Sequence, residues 1–285
     1  MVNRIGMVCW VVVAFVLAAE GGRASEPHGP PVTTNIVVRV VGNHAMALGD
    51  TVGGAEVTIR DTETGSILAS GTQSGIAGDL RSIMQTPREH IEQVYSTRGT
   101  ASFTAILHLT KPTLVEITVE GPLKYPQAKR RASKMVLLYP GRHLTGDGIV
   151  LDLNGLIVEI EAPPKDRPLG VGDGGTIHAR VKMLCDCIVE PFGNWDSRKM
   201  ILYGEMQVGN RVITKIDLYH QGPKGLFLGN FIIPRSIQGQ ERLTLRVVAS
   251  DPEGINVGYD EITYPLVPWE QSRDATGRDI PPISK

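Results

Sequence analysis

The chain has 285 residues, with 29 Lys and Arg against 30 Asp and Glu, a formal net charge of −1. That balance lacks the strong basic footprint of a nucleic-acid binder. With 41% hydrophobic and 21% charged residues it is the composition of a folded chain of one or two domains, not a disordered one.

In chain order, the first residues read MVNRIGMVCWVVVAFVLAAEGGRAS. Arg4 gives a positive start, and Met7 to Ala19 is an apolar run of about 13 residues, too short to span a bilayer comfortably. Gly22 and Ala24 then occupy the −3 and −1 positions of a cleavage site, so residues 1–24 are expected to be a secretory signal peptide cut before Ser25. Val8 precedes Cys9 where a lipoprotein site wants a small residue, so lipid anchoring is not expected. Cleavage removes Arg4, Arg23, Glu20 and Cys9, moving the net charge to −2. No later stretch reaches transmembrane length. The mature chain is therefore expected in the periplasm or secreted, with no membrane span and no nucleic-acid partner. It carries no Asn-x-Ser/Thr sequon, which suits a bacterial envelope protein.

Period-two patterning then dominates. Asn35–Val41, Ala55–Arg60, Ser66–Ser70, Thr100–Leu107, Thr113–Val119, Lys134–Leu138 and Ile149–Ile160 read as strands, the count and spacing of a β-sandwich over residues 25–161. A helical insert over about 76–98 interrupts them. Thr86-Pro87-Arg88-Glu89 reads as a capping box that predicts a helix from Pro87 to Ser96, and a weaker one is expected from Asp79 to Gln85. The insert is either a lid over the core or a docking element for another envelope protein, with Arg88, His90, Glu92 and Tyr95 as its contact residues. Residues 162–175, rich in Pro and then Gly, read as a linker.

The second half is again strands: Thr176–Val189, a hairpin of Lys199–Val208 and Arg211–His220 around Gly209-Asn210, then Gly225–Ile233, Arg242–Ser250 and Gly258–Leu266. This predicts a second sandwich over 176–268 and a disordered tail over 269–285. The fold class is all-β: two immunoglobulin-like β-sandwich domains, the first with a short helical insert.

Two local patterns resemble known families. Gly53-Gly-Ala-Glu-Val-Thr-Ile-Arg-Asp-Thr-Glu-Thr-Gly65, followed by Gly71-Thr72 and Gly99-Thr-Ala-Ser-Phe103, resembles the carboxypeptidase-regulatory-like and transthyretin-like sandwiches, implying a seven-stranded Greek key. Gly225–Pro234 followed by Leu245-Arg-Val-Val-Ala-Ser-Asp-Pro-Glu-Gly254 resembles bacterial immunoglobulin-like repeats. Such sandwiches host adhesion, scaffolding and accessory roles, so the resemblance implies a fold and little function.

The catalytic motifs looked for are missing: no G-x-S-x-G elbow, H-E-x-x-H, phosphate loop or dinucleotide fingerprint. No catalytic or cofactor-binding residue is assigned. Asp251, Asn256 and Asp260 could hold calcium but read more simply as turn formers. His44 with Met46, and His143 with Asp147, lie on loops whose spacing demands no metal. Lys129-Arg-Arg131 with Lys134 reads as a solvated basic cluster.

That leaves VKMLCDCIVEPFGNW, Val181 to Trp195. On a regular strand Met183, Cys185 and Cys187 share the core face. Residues two apart on such a strand sit about 6.5–7 Å apart, beyond the roughly 5.5–6 Å a disulfide prefers, though a bulge closes the gap. Three readings stay open: reduced core thiols, a Cys185–Cys187 disulfide in an oxidising compartment, or a soft-metal site in which Met183, Cys185 and Cys187 hold copper. The expected function is an exported, non-enzymatic binding, scaffolding or accessory protein. A copper or thiol-redox protein is the alternative. A carbohydrate-binding module using Trp195, Trp269 and Tyr203 is the third, weakened by a 5% aromatic content.

Overall fold

The computed structural model describes residues 29–87, 92–222 and 224–268. The expected signal peptide, the tail and two of the expected docking residues, Arg88 and His90, lie outside them.

The first sandwich has seven strands: β1 (Val32–Gly42), β2 (Ala55–Asp61), β3 (Ile67–Gln73), β4 (Phe103–Leu109), β5 (Thr113–Gly121), β6 (Arg130–Leu138) and β7 (Leu144–Leu153). Two sheets face each other, in the orders β4-β1-β7 and β3-β2-β5-β6. Clean alternation builds the core between them: Val57 and Ile59 of β2 and Val115, Ile117 and Val119 of β5 are fully buried while their neighbours point outward. β6 and β7 are end strands of their sheets and lie on the same side of the sandwich.

The second sandwich is formed by β8 (Leu156–Ala162), β9 (Leu169–Gly170), β10 (Gly174–Met183), β13 (Ile201–Val208), β14 (Arg211–Asp217), β15 (Tyr219–His220), β16 (Leu226–Ile232), β17 (Arg242–Ser250) and β18 (Val257–Val267). The short β11 (Val189–Glu190) and β12 (Trp195–Asp196) pair with each other in the loop between β10 and β13. The sheet orders are β15-β16-β10-β8 and β14-β13-β17-β18-β9. Naming β8, β10, β15 and β16 as strands A, B, D and E, and β13, β14, β17 and β18 as C, C′, F and G, gives the immunoglobulin strand order.

Three expectations are corrected. The stretch 149–160 is not one strand of the first sandwich. It breaks at Asn154-Gly155, and β8 pairs with β10 of the second. Gly155 takes φ 154°, a value L side chains rarely adopt, and its N–H donates to Asn43 Oδ1 and Asn256 Oδ1. The strand expected over 176–189 ends at Met183. Among the described residues of the insert, only Arg81–Gln85 forms a helical turn, of π type. Thr86 is extended and its hydroxyl donates back to the Arg81 carbonyl, and residues 88–91 of the helix expected after it lie outside the described residues. Glu92 to Val94 are not helical.

Two buried polar side chains tie the first sandwich together. Gln73, at the end of β3, is fully buried. Its Oε1 accepts from Val40 N–H at 2.6 Å, and its Nε2 donates to the Val40 and Leu48 carbonyls at 2.9 Å each. It thereby bonds one sheet to the other by backbone groups. Arg39 sends Nη1 to the Thr100 and Ala101 carbonyls, fastening the end of the insert to β1. Gln73→Leu leaves Val40 N–H and Leu48 C=O buried without those partners. At about 1–3 kcal/mol for each orphaned group, denaturant unfolding should show a loss of about 2–5 kcal/mol.

Candidate functional site

The cysteines lie at the junction of the two sandwiches. After β10 the chain makes a tight hairpin rather than continuing as a strand. Asp186 N–H donates to the Met183 carbonyl at 3.0 Å, Met183 N–H donates to the Cys187 carbonyl at 2.8 Å, and Lys182 pairs with Ile188. Asp186 sits at φ 69°, the left-handed position of a three-residue hairpin loop, and Asp tolerates that region better than most residues. The turn brings the two Cα atoms to 5.3 Å, and Cys185 and Cys187 are joined in a disulfide. Of the three open readings the structure holds this one. Thiolates for a soft metal exist only in the reduced form, and Met183 is buried with its sulfur 3.9 Å from Asn43 Nδ2.

The tip of this hairpin enters the first sandwich. Leu184 is fully buried in that sandwich's core, together with Ile157 of β8. Conversely, Val41, Met46 and Ala47 of the first sandwich belong to the apolar cluster that holds Met183, Cys185 and the core of the second. Gly42 faces the hairpin, and a side chain there would meet Leu184 Cβ at 3.2 Å and Cys185 N at 3.3 Å. On the flank, Lys182 Nζ is 2.7 Å from both Asp186 Oδ1 and the Tyr125 hydroxyl and lies 4.4 Å over the Tyr125 ring. Burial draws the Lys182 ammonium down, but the bonds from Asp186 and Tyr125 outweigh it, so its pKa is raised.

The loop after β1 connects this junction to a cleft. Gly42 to Ala45 forms a turn closed by Ala45 N–H to Gly42 C=O, with Asn43 and His44 both at φ 56°, the pattern of a type I′ hairpin turn. Asn43 bonds the junction through Gly155. His44 turns the other way: its N–H donates to Asp152 Oδ1 at 2.9 Å and its Nδ1 lies 2.8 Å from Asp152 Oδ2. The cleft has a volume of about 520 Å³ and opens between β6 and β7, lined by His44, Tyr95, Ser133, Lys134, Val150 and Asp152 among others. Lys134 Nζ reaches the Val150 carbonyl across it at 3.5 Å. Burial raises the Asp152 carboxyl above the usual carboxylate range, against the opposing N–H and charge of His44.

Of the expected docking residues within the described chain, Glu92 is exposed and Tyr95 is not. Tyr95 is buried and its hydroxyl donates to the Ala45 carbonyl. Asp147 accepts from Val94 N–H and Tyr95 N–H at 2.8 Å each, so this end of the insert is pinned over the first sandwich beside the cleft. His143 is used locally, its Nδ1 accepting from Asn35 N–H. Asp251 accepts from Ile255 N–H and Asn256 N–H within one turn, Asn256 serves Gly155, and Asp260 accepts from Ile160 N–H. Trp195 packs partly buried on the second core, Tyr203 is capped by Lys215, and Trp269 lies outside the described residues. Among the described residues no group of three or more His, Cys, Asp or Glu converges as for a metal, and no helix is long and apolar enough to cross a membrane. The sequence pattern did not single out Gln73, Arg39, Lys182 or Asp152. Each lies on a strand and has a bonding partner tens of residues away.

No protein-family model matches the chain, and no curated protein matches it. Solved structures show distant likeness. The fibronectin(III)-like modules of CbhA from Clostridium thermocellum match at TM-score 0.27 and 10% identity, covering 84% of this chain and 95% of that one. A DUF3823 family protein from Bacteroides ovatus matches at 0.31 and 10%, covering 82% and 98%. A three-immunoglobulin segment of titin matches at 0.25 and 9%, covering 85% and 66%. At this level the likeness concerns the sandwich fold only and carries nothing about function.

A carboxyl with a raised folded-state pKa favours the folded state when protonated. Its stabilising contribution is full below the unfolded value and is lost as pH rises through the folded value. Asp152→Asn removes that titration. The melting temperature of the native chain minus that of the variant should therefore fall as pH rises above the usual carboxylate range. A flat or rising difference in a thermal melt series would show that His44 dominates instead.

Proposed function

We propose that the chain is an exported, non-enzymatic binding or accessory protein of the bacterial periplasm or cell surface. Its binding element is the open edge of the first sandwich, where an extended segment of a partner protein adds beside β6. The observation that carries this is β6 itself. It pairs with β5 on one side and with no described strand on the other. Met135 and Leu137 on it, and Tyr139 just after it, are 65%, 64% and 58% exposed, with Leu114 of β5 opposite Leu137. An edge strand with large apolar side chains in solvent is a template for strand addition.

Charge complementarity sets the chemistry of the partner. β6 carries Arg130, Arg131 and Lys134 and no acidic residue. Arg130 is committed to the Val257 carbonyl, whereas Arg131 and Lys134 form no ion pair among the described residues. The acidic residues facing them from β5 are Glu116, opposite Met135, and Glu120, opposite Arg131 and 3.9 Å from Lys129. The partner segment is therefore apolar with interspersed carboxylates. The leader-like residues 1–24 support export.

A photo-crosslinking residue in place of Leu137, activated in intact cells, tests this. The expected product is an adduct with one other envelope protein, reduced by about tenfold or more when Arg131→Glu and Lys134→Glu are added. Adducts only with a second copy of this chain, no adduct, or an adduct indifferent to the charge reversal would each overturn the reading, as would turnover in a broad hydrolase screen.

A further inference from the structure

We propose that the Cys185–Cys187 disulfide is a thiol-exchange site whose access is gated by the junction, so that reduction and undocking of the two sandwiches are coupled. This stands independently of the edge-strand reading, because it rests on the hairpin alone.

The bond closes a loop with one residue between its ends. The entropy a disulfide removes from the unfolded chain grows with loop length, so this one constrains the unfolded state little. It holds instead the shape of the turn, including the left-handed Asp186, and through it the position of Leu184 in the first core.

The two sulfurs differ in access. Cys187 is partly buried, whereas Cys185 is 2% exposed, with its backbone N against Gly42 and its side chain in the apolar cluster that includes Val41, Met46 and Met183. A small thiol such as glutathione therefore attacks as its thiolate at Cys187 Sγ. A mixed disulfide forms there, the Cys185–Cys187 bond breaks, and its electron pair leaves on Cys185 Sγ. In the docked state that thiolate appears in apolar surroundings, which disfavour charge and make a poor leaving group. The nearest described cation on the same hairpin, Lys182, is engaged by Asp186 and Tyr125. Opening the junction lets water and a proton reach Cys185. A second glutathione thiolate then attacks the mixed disulfide, leaving two Cys thiols and one oxidised glutathione, a balanced two-electron, two-proton reduction. Reduction also removes the covalent constraint on the turn that seats Leu184 in the first core, so the reduced chain opens at the junction more readily than the oxidised one.

The test measures the rate of disulfide reduction by glutathione in the full chain, by alkylation and intact mass. Leu184→Ala withdraws the side chain that seats the hairpin, and Asn256→Ala removes an acceptor from Gly155 N–H at the junction without touching the core. Both should be reduced faster than the native chain, Leu184→Ala by about tenfold or more. Far-UV circular dichroism checks that each is folded, and Asn256→Ala serves if Leu184→Ala is not. In the second arm, small-angle scattering should give a larger radius of gyration for the reduced native chain and for Cys185→Ser/Cys187→Ser than for the oxidised chain. Equal reduction rates in native chain and folded variants, or identical scattering in both redox states, would overturn the coupling.

Discussion

The structure depends on an exchange of core residues between its two sandwiches. Leu184 and Ile157 leave the second sandwich to be buried in the first, and Val41, Met46 and Ala47 of the first join the cluster of the second. Burying a side chain such as leucine is worth about 1.5–3 kcal/mol, so several together hold two domains as one body, where a polar linker contact would leave them free to move. The constraint runs down to single atoms. Gly42 has no side chain because Leu184 and Cys185 occupy that place, and Gly155 breaks one strand into two because its N–H must face two asparagines.

The turn after β1 carries this constraint to the cleft. Asn43 and His44 are adjacent left-handed residues whose side chains point to opposite duties, one to Gly155 at the junction and the other to Asp152 at the cleft. A shift of the hairpin that moved Asn43 would reach His44 through a single peptide bond. Across the cleft, Lys134 donates to the Val150 carbonyl of β7, which among the described residues is an end strand of its sheet. A lysine at this position guards the β7 edge against indiscriminate pairing, while the outer face of β6 keeps its apolar row.

The sandwiches were legible in the sequence because their strands alternate: one face of β2, β5 and β17 is apolar apart from the terminal Asp61 and Thr113. What escaped was set by distance. Apolar residues flank Asn154-Gly155 closely on both sides from Val150 to Ile160, so this local turn signal reads as part of one strand. The partners that force the change of sheet, Asn43 and Asn256, are more than a hundred residues away. The same alternation made Val181 to Val189 look like one strand, and only the tolerance of Asp186 for a left-handed backbone permits the turn that joins the cysteines. At the insert, Thr86 turns back to Arg81, while Asp147 of β7 claims the N–H groups of Val94 and Tyr95. Arg39 sits in an apolar run where polarity reads as noise, and Gln73 in a polar stretch where it reads as surface, until the carbonyls they satisfy are seen.

The junction also explains why the binding element is sought on the first sandwich. In an immunoglobulin variable domain the loops between strands B and C and between F and G are free for recognition. Here the B–C loop contributes the Cys hairpin with its buried Leu184, and the F–G loop contributes Asn256 to Gly155. The end of the second sandwich that would bind a ligand is spent on binding the first. The pairing leaves open what neither sandwich needs for the other: the β6 edge and its cleft.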